Sequence, residues 1–157
     1  YSNDANWQAH FHTTGQEIIK QTNGKITHFV AGVGTSGTLV GTGKRLKEYN
    51  NKIKIIEVQP NSPLHGLEGL KHMESSIIPK IYSKKMSDEQ IFISTEESHK
   101  LVIKLARNYG IMIGPSSGAA LAASLQVANK IENGVIVTIF CDTGYRYLTE
   151  RFWDEKK

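Results

Sequence analysis

Apolar residues along the chain gather in short clusters separated by glycine, proline and polar turns. Residues 26–31, 53–58, 90–94, 111–113 and 135–140 are brief and rich in branched or aromatic side chains, which predicts strands. Between them lie longer stretches with helical signals. Residues 14–22 open on Thr14 and Glu17 at capping-box spacing and are followed by Gly24. Residues 38–49 follow a glycine-rich turn. Residues 94–108 open on the pair Ser94 and Glu97, carry Leu101, Val102 and Leu105 on one face, and stop at Gly110. An alanine-rich helix follows residues 114–118 and ends near Lys130, and a last short helix is predicted around 145–152. Residues 59–80 hold Pro60, Pro63, Pro79, Gly66 and Gly69 and predict a long irregular segment.

The predicted strands are apolar throughout rather than alternating, as strands covered on both faces are. Strand and helix alternate along the chain. The expectation is an α/β fold, a mostly parallel sheet with helices on both faces, in one domain over residues 1–157. At 157 residues and 39% hydrophobic content the chain can bury a real core, which excludes a disordered segment. The longest apolar run, residues 135–140, is interrupted by Thr138 and is far shorter than the roughly 18 residues of a membrane span.

Nineteen Lys and Arg against fifteen Asp and Glu give a net charge of +4. The basic residues are scattered, as at Lys44/Arg45/Lys47, Lys84/Lys85 and Lys156/Lys157, and do not form an aromatic-interleaved stripe, so no nucleic-acid partner is expected. Cys141 is the single cysteine, so no internal disulfide can form, and a reducing, cytoplasmic setting is expected. By default its side chain reads as a small buried hydrophobe. The six histidines form no pair at helical metal spacing, and no metal site is expected.

Three strand-to-helix turns carry the candidate chemistry. Ligands of such sheets bind at the carboxyl ends of strands, where helices begin. The first turn, Gly32-Val33-Gly34-Thr35-Ser36-Gly37-Thr38, combines close backbone approach, free N–H groups, a helix dipole and three hydroxyls, which suits a phosphate monoester. It also fits G-x-G-x-x-G, with Glu57 twenty residues beyond Gly37, so a dinucleotide-binding oxidoreductase domain is a competing reading. The second turn, Gly114-Pro115-Ser116-Ser117-Gly118, offers a hydroxyl to a polar ligand atom or, more plainly, a helix N-cap. The third, Cys141-Asp142-Thr143-Gly144, follows the most apolar strand, and Asp142 there could cap the last helix. Together the turns favour a phosphate-bearing heterocycle.

Gly34-Thr35-Ser36-Gly37-Thr38 resembles the phosphate loop of fold-type II pyridoxal-phosphate enzymes, written G-T-x-G-T, with Ser36 at the variable position. Gly114-Pro115-Ser116-Ser117-Gly118-Ala119 resembles their second signature. The segments 12–18 and 26–30, Gly69-Leu70-Lys71-His72-Met73 with Pro79 beyond it, and Cys141-Asp142-x-Gly144-x-Arg146-Tyr147-Leu148 resemble cysteine synthase, its B-type branch in particular (the O-acetylserine/O-phosphoserine sulfhydrylases).

The resemblance implies pyridoxal 5'-phosphate as cofactor. Gly34, Thr35, Ser36, Gly37 and Thr38 would hold its phosphate, and Ser116 would meet the pyridine nitrogen. Cys141 and Asp142 would lie at the ring edge, Gly69 at the substrate entrance, and Lys71 beside an acidic leaving group. It implies L-cysteine formation by β-replacement, from an O-activated serine and a sulfur donor, in a homodimer. Serine/threonine dehydratase and cystathionine β-synthase share the fold and remain open, as does a non-enzymatic phosphate-binding half-chain. Family members are about twice as long, and their amino-terminal half carries the Schiff-base lysine. The chain, which begins Tyr-Ser-Asn, resembles the carboxyl-terminal half and is expected to be inactive alone, with no catalytic residue assigned to it.

Overall fold

Phe29 and Ala31 project to one face of the first strand and Val30 to the other, and all three are buried. That double burial sets the architecture. The computed structural model describes residues 2–154. Lys156 and Lys157 lie outside the described residues. The elements in chain order are α1 (Ala5–His12), α2 (Thr14–Gln21), β1 (His28–Gly32), α3 (Gly37–Tyr49), β2 (Lys54–Pro60), β3 (Glu89–Ile93), α4 (Thr95–Tyr109), α5 (Pro115–Ala128) and β4 (Ile136–Thr138). Three 3-10 turns, Lys84–Met86, Gly144–Tyr147 and Arg151–Asp154, complete the described fold.

The sheet runs β3-β2-β1-β4, and its neighbouring strands pair in parallel. His28 pairs with Lys54 on one side and Ile136 on the other, so β1 is central. Helices α2 and α3 cover one face, where Ile18, Leu39 and Leu46 pack on Phe29 and Ile55. On the other face Ala119, Ala122, Ala123 and Val127 of α5 pack on Val30, Ile56 and Ile91. The small side chains let α5 lie close to the sheet. The predicted α/β fold, a parallel sheet with helices on both faces, is the observed one.

Several local expectations need correction. The segment 111–113 is not a strand: Ile113 makes one antiparallel bridge, to Thr143, and then the chain turns into α5. The apolar run 135–140 yields only three strand residues, all half-buried, because β4 lies at the sheet edge. The Thr14–Glu17 capping box does not form. α1 runs almost directly into α2, and the Thr14 hydroxyl instead meets His10 Nδ1 at 2.9 Å. The second box holds at its cap, where Ser94 Oγ accepts from Glu97 N at 3.1 Å. The last helix appears as two 3-10 turns, the first capped by Thr143 and not by Asp142.

The segment between β2 and β3 is irregular, as expected, and polar contacts pin it to the sheet. Gln59 Oε1 accepts from Met73 N at 2.9 Å, and Glu57 accepts from Tyr82 and Ser87 at 2.9 Å each. This pinning carries residues 68–70 over the end of β1.

Candidate cofactor site

After β1 the backbone passes between β2 and the irregular segment. Val33 N donates to Val58 O at 3.1 Å, and Val33 O accepts from Lys71 N at 2.8 Å. A Cβ at Gly34 would run into the carbonyl oxygen of Gly69, so only glycine permits this approach. Ser36 then takes a left-handed conformation, φ 74°, and α3 begins. Its N-cap residue Ser36 makes no side-chain cap bond, and the one side-chain acceptor at the helix start is Thr35 Oγ1, 3.4 Å from Gly37 N. The N–H groups of the first turn beyond Gly37 retain their affinity for an anion, reinforced by the helix dipole.

α5 begins in the same way. Its N-cap residue is Gly114, which has no side-chain oxygen to offer, and Pro115 occupies the first turn. Ser116 is thus not the helix cap. The adjacent serines diverge. Ser117 Oγ accepts from Cys141 N at 3.1 Å and ties the third turn in place. Ser116 lines the cavity that residues 34–38 also line.

That cavity has a volume of about 490 Å³, within the usual size range of small-molecule sites. Gly34, Thr35, Ser36, Gly37, Thr38, Gly69, Ser116, Cys141 and Asp142 all line it. Glu68, Leu70, Arg146 and Tyr147 also line it, so its wall carries both an acidic and a basic side chain. Residues 68–70 lie near the middle of the chain and 141–147 close to its carboxyl end, and only the fold brings them together.

Two buried polar atoms among the lining residues lack a hydrogen-bond partner: Ser36 Oγ and Asp142 Oδ1. Leaving a buried polar group unsatisfied costs about 1–3 kcal/mol. The hydroxyl of Ser36 suits an acceptor such as a phosphate oxygen, and the carboxylate oxygen suits a ligand donor. The other Asp142 oxygen accepts from the Tyr147 hydroxyl. Burial and this carboxylate push the Tyr147 phenol up to about 12, so it remains protonated at neutral pH. Cys141 is exposed, which corrects the buried-hydrophobe reading: its strand has ended at Thr138 and it lines the cavity. Partial burial of the thiol and the nearby Asp142 raise its pKa and disfavour the thiolate.

Lys71 does not join this cavity. It lines a neighbouring groove with Ile77, Ile78 and Pro79. Glu57 does not join it either. Its side chain is fully buried and accepts from Gln59, Tyr82, Ser87 and Gln90, so it is not presented to a ribose as the dinucleotide motif would require. Its place is a β2 position on the same strand face as Ile55. Among the described residues no group of three or more His, Cys, Asp or Glu is arranged to hold a metal ion. No helix among them is long and apolar enough to cross a membrane.

Asn6 and His10 of α1 escaped the sequence reading. Asn6 Nδ2 donates to Thr35 Oγ1 at 3.2 Å, and His10 Nε2 lies 3.3 Å from Thr38 Oγ1. The segment 12–18 signalled that the neighbourhood mattered but not that α1 touches the loop.

Residues 1–142 match the family model described as pyridoxal-phosphate dependent enzyme. The chain is 52% identical, over 99% of its own length and 49% of the relative's, to cysteine synthase of Aquifex aeolicus (strain VF5). It is 39% identical to cysteine synthase B of Pseudomonas aeruginosa, over 99% of the chain and 52% of that protein. Among solved structures, a cysteine synthase (OASS) from Entamoeba histolytica superposes with a TM-score of 0.91 at 38% identity, covering 99% of this chain and 48% of that one. The chain thus spans about half the length of the relatives it matches.

Proposed function

Because the chain belongs to the pyridoxal-phosphate dependent enzyme family, we propose that its cavity holds pyridoxal 5'-phosphate and serves an enzyme that makes L-cysteine by β-replacement. The substrates of that reaction are an O-activated serine and a sulfur donor. One observation carries the reading. The phosphate-suited loop, with the partnerless buried hydroxyl of Ser36, and the serine of the second turn face one cavity of suitable size. The similarity to cysteine synthases along nearly the whole chain supports the choice of reaction.

In this reading residues 34–38 bind the phosphate through N–H groups and hydroxyls. Ser116 offers its hydroxyl to the ring nitrogen. A neutral serine does not hold that nitrogen protonated as a carboxylate would, which moderates electron withdrawal and favours elimination and replacement over transamination. When bound, the cofactor supplies an electron sink for charge developing on the substrate α-carbon. Asp142 and Cys141 stand at the ring edge, and Asp142 Oδ1 accepts from a ligand donor. Gly69 leaves room at the substrate entrance, where no neighbouring atom lies within 4 Å of its would-be Cβ. Lys71, two residues on, lines the groove beside the cavity and is the residue that the resemblance would set beside an acidic leaving group such as phosphate. We assign no proton-transfer residue to the chain, and the lysine base belongs to the remainder of a complete, homodimeric enzyme.

Equilibrium dialysis tests the reading. The chain should bind pyridoxal 5'-phosphate at least about tenfold more tightly than pyridoxal, since a charged hydrogen-bonded group contributes on the order of 1.5–3 kcal/mol. Equal affinity for the two contradicts it. Incubated alone with O-acetylserine and sulfide, the chain should form no cysteine, and cysteine formation would show that it holds the proton-transfer group.

A further inference from the structure

The hydroxyls of Thr35 and Thr38 can each donate one proton and accept two hydrogen bonds. A fully ionised phosphate ester only accepts. A threonine serves such a ligand when its own oxygen is occupied by other donors, so that its proton has nowhere to go but the cavity. The surroundings of both residues fit this requirement.

Thr35 Oγ1 accepts from Asn6 Nδ2 at 3.2 Å and from Gly37 N at 3.4 Å. With two donors on its oxygen, its hydroxyl proton is left to point into the cavity that Thr35 lines. A side chain at Gly37 would collide with the Asn6 amide, so the glycine is what admits Asn6 to the loop. Thr38 Oγ1 lies 3.3 Å from His10 Nε2, and His10 Nδ1 lies 2.9 Å from Thr14 Oγ1. Two arrangements are possible. With the proton on Nε2, His10 donates to Thr38, Thr14 donates to Nδ1, and the Thr38 proton is free for a ligand. With the proton on Nδ1, Thr38 must donate to His10 and is lost to the ligand. Burial lowers the His10 pKa, so the ring is neutral at pH 7 and must choose between the two.

α1 is also held firmly enough to act as a brace. The Lys44 ammonium of α3 sits 3.8 Å from the centre of the Trp7 ring, and Arg45 lies over Phe11.

We propose that Asn6 and His10 are positioning residues that turn the Thr35 and Thr38 hydroxyls into dedicated donors for a dianionic phosphate ester, with His10 in its Nε2–H form. This rests on the cofactor-phosphate reading above.

The test combines calorimetric titration of the chain, using inorganic phosphate and pyridoxal 5'-phosphate as probes, with nitrogen-15 NMR of the imidazole. His10→Leu should weaken both ligands about tenfold, the loss of one charge-assisted hydrogen bond. His10→Gln, which keeps a donor for Thr38 and an acceptor for Thr14, should restore affinity to within about twofold. In a Thr38→Val background, His10→Leu should change affinity less than about twofold, because the residue acts through that hydroxyl. The spectrum of the ligand-free chain should show a protonated Nε2 and a bare Nδ1. An equal loss in both backgrounds, failure of His10→Gln to rescue, or the opposite tautomer overturns the proposal while leaving the cofactor reading intact. If the unsubstituted chain binds neither probe, the cofactor reading falls and takes this role with it.

Discussion

Helices α3, α4 and α5 all begin close to the carboxyl edge of the sheet, yet their first turns are finished differently. α4 is closed by its own chain. Ser94 Oγ accepts from Glu97 N at 3.1 Å, and the neighbouring Thr95 Oγ1 accepts from Gly66 N. The N-cap residues of α3 and α5, Ser36 and Gly114, make no side-chain cap bond, and residues of both first turns line the cavity. A capped helix start has little left for a ligand, whereas an uncapped one keeps donors that an anion or a polar ring atom can use. The contrast separates a helix end closed by its own chain from two that open onto a cavity.

The largest effect is expected where the open loop is most tightly built. Gly34→Ala forces a methyl group against the Gly69 carbonyl, and backbone cannot give way as a flexible side chain can. Affinity for pyridoxal 5'-phosphate should fall by about a hundredfold or more in a fluorescence titration. The melting temperature should also drop, as overpacking costs about 1–3 kcal/mol. Ser116→Ala sharpens the division between the two open starts. It should weaken pyridoxal 5'-phosphate several-fold, consistent with loss of one neutral hydrogen bond of about 1 kcal/mol. It should leave inorganic phosphate affinity within about twofold, since α3 alone handles the anion. Ser94→Ala gives the smallest effect on binding. Chemical denaturation should show a loss of about 1 kcal/mol, typical of a removed N-cap, while both ligands bind as before. A marked loss of ligand affinity in Ser94→Ala would erase the distinction between closed and open starts.

Much of this was legible in the chain itself. The alternation of branched-residue clusters with helical stretches specified the parallel sheet, and the density of Gly and hydroxyl residues at 32–38 marked the loop. The edge of the sheet was not legible, because the apolar run 135–140 looks the same whether it is central or peripheral. α1 was not legible for a different reason. None of its residues is buried, so it carries no hydrophobic period, and it matters through the polar contacts of Asn6 and His10. Glu57 misled through spacing alone. Twenty residues beyond Gly37 fits the dinucleotide motif, but spacing does not say that its carboxylate is enclosed by Gln59, Tyr82, Ser87 and Gln90. The joining of residues 68–70 to 141–147 is purely tertiary, and no local pattern announces it.

Amide hydrogen exchange with and without pyridoxal 5'-phosphate tests the central claim most directly. The account predicts slowed exchange at residues 34–39 and 116–118, with no change at 95–97, and no protection of these segments by NAD. Protection by NAD equal to that by pyridoxal 5'-phosphate, or unchanged exchange at residues 34–39 with the cofactor in excess, would contradict it.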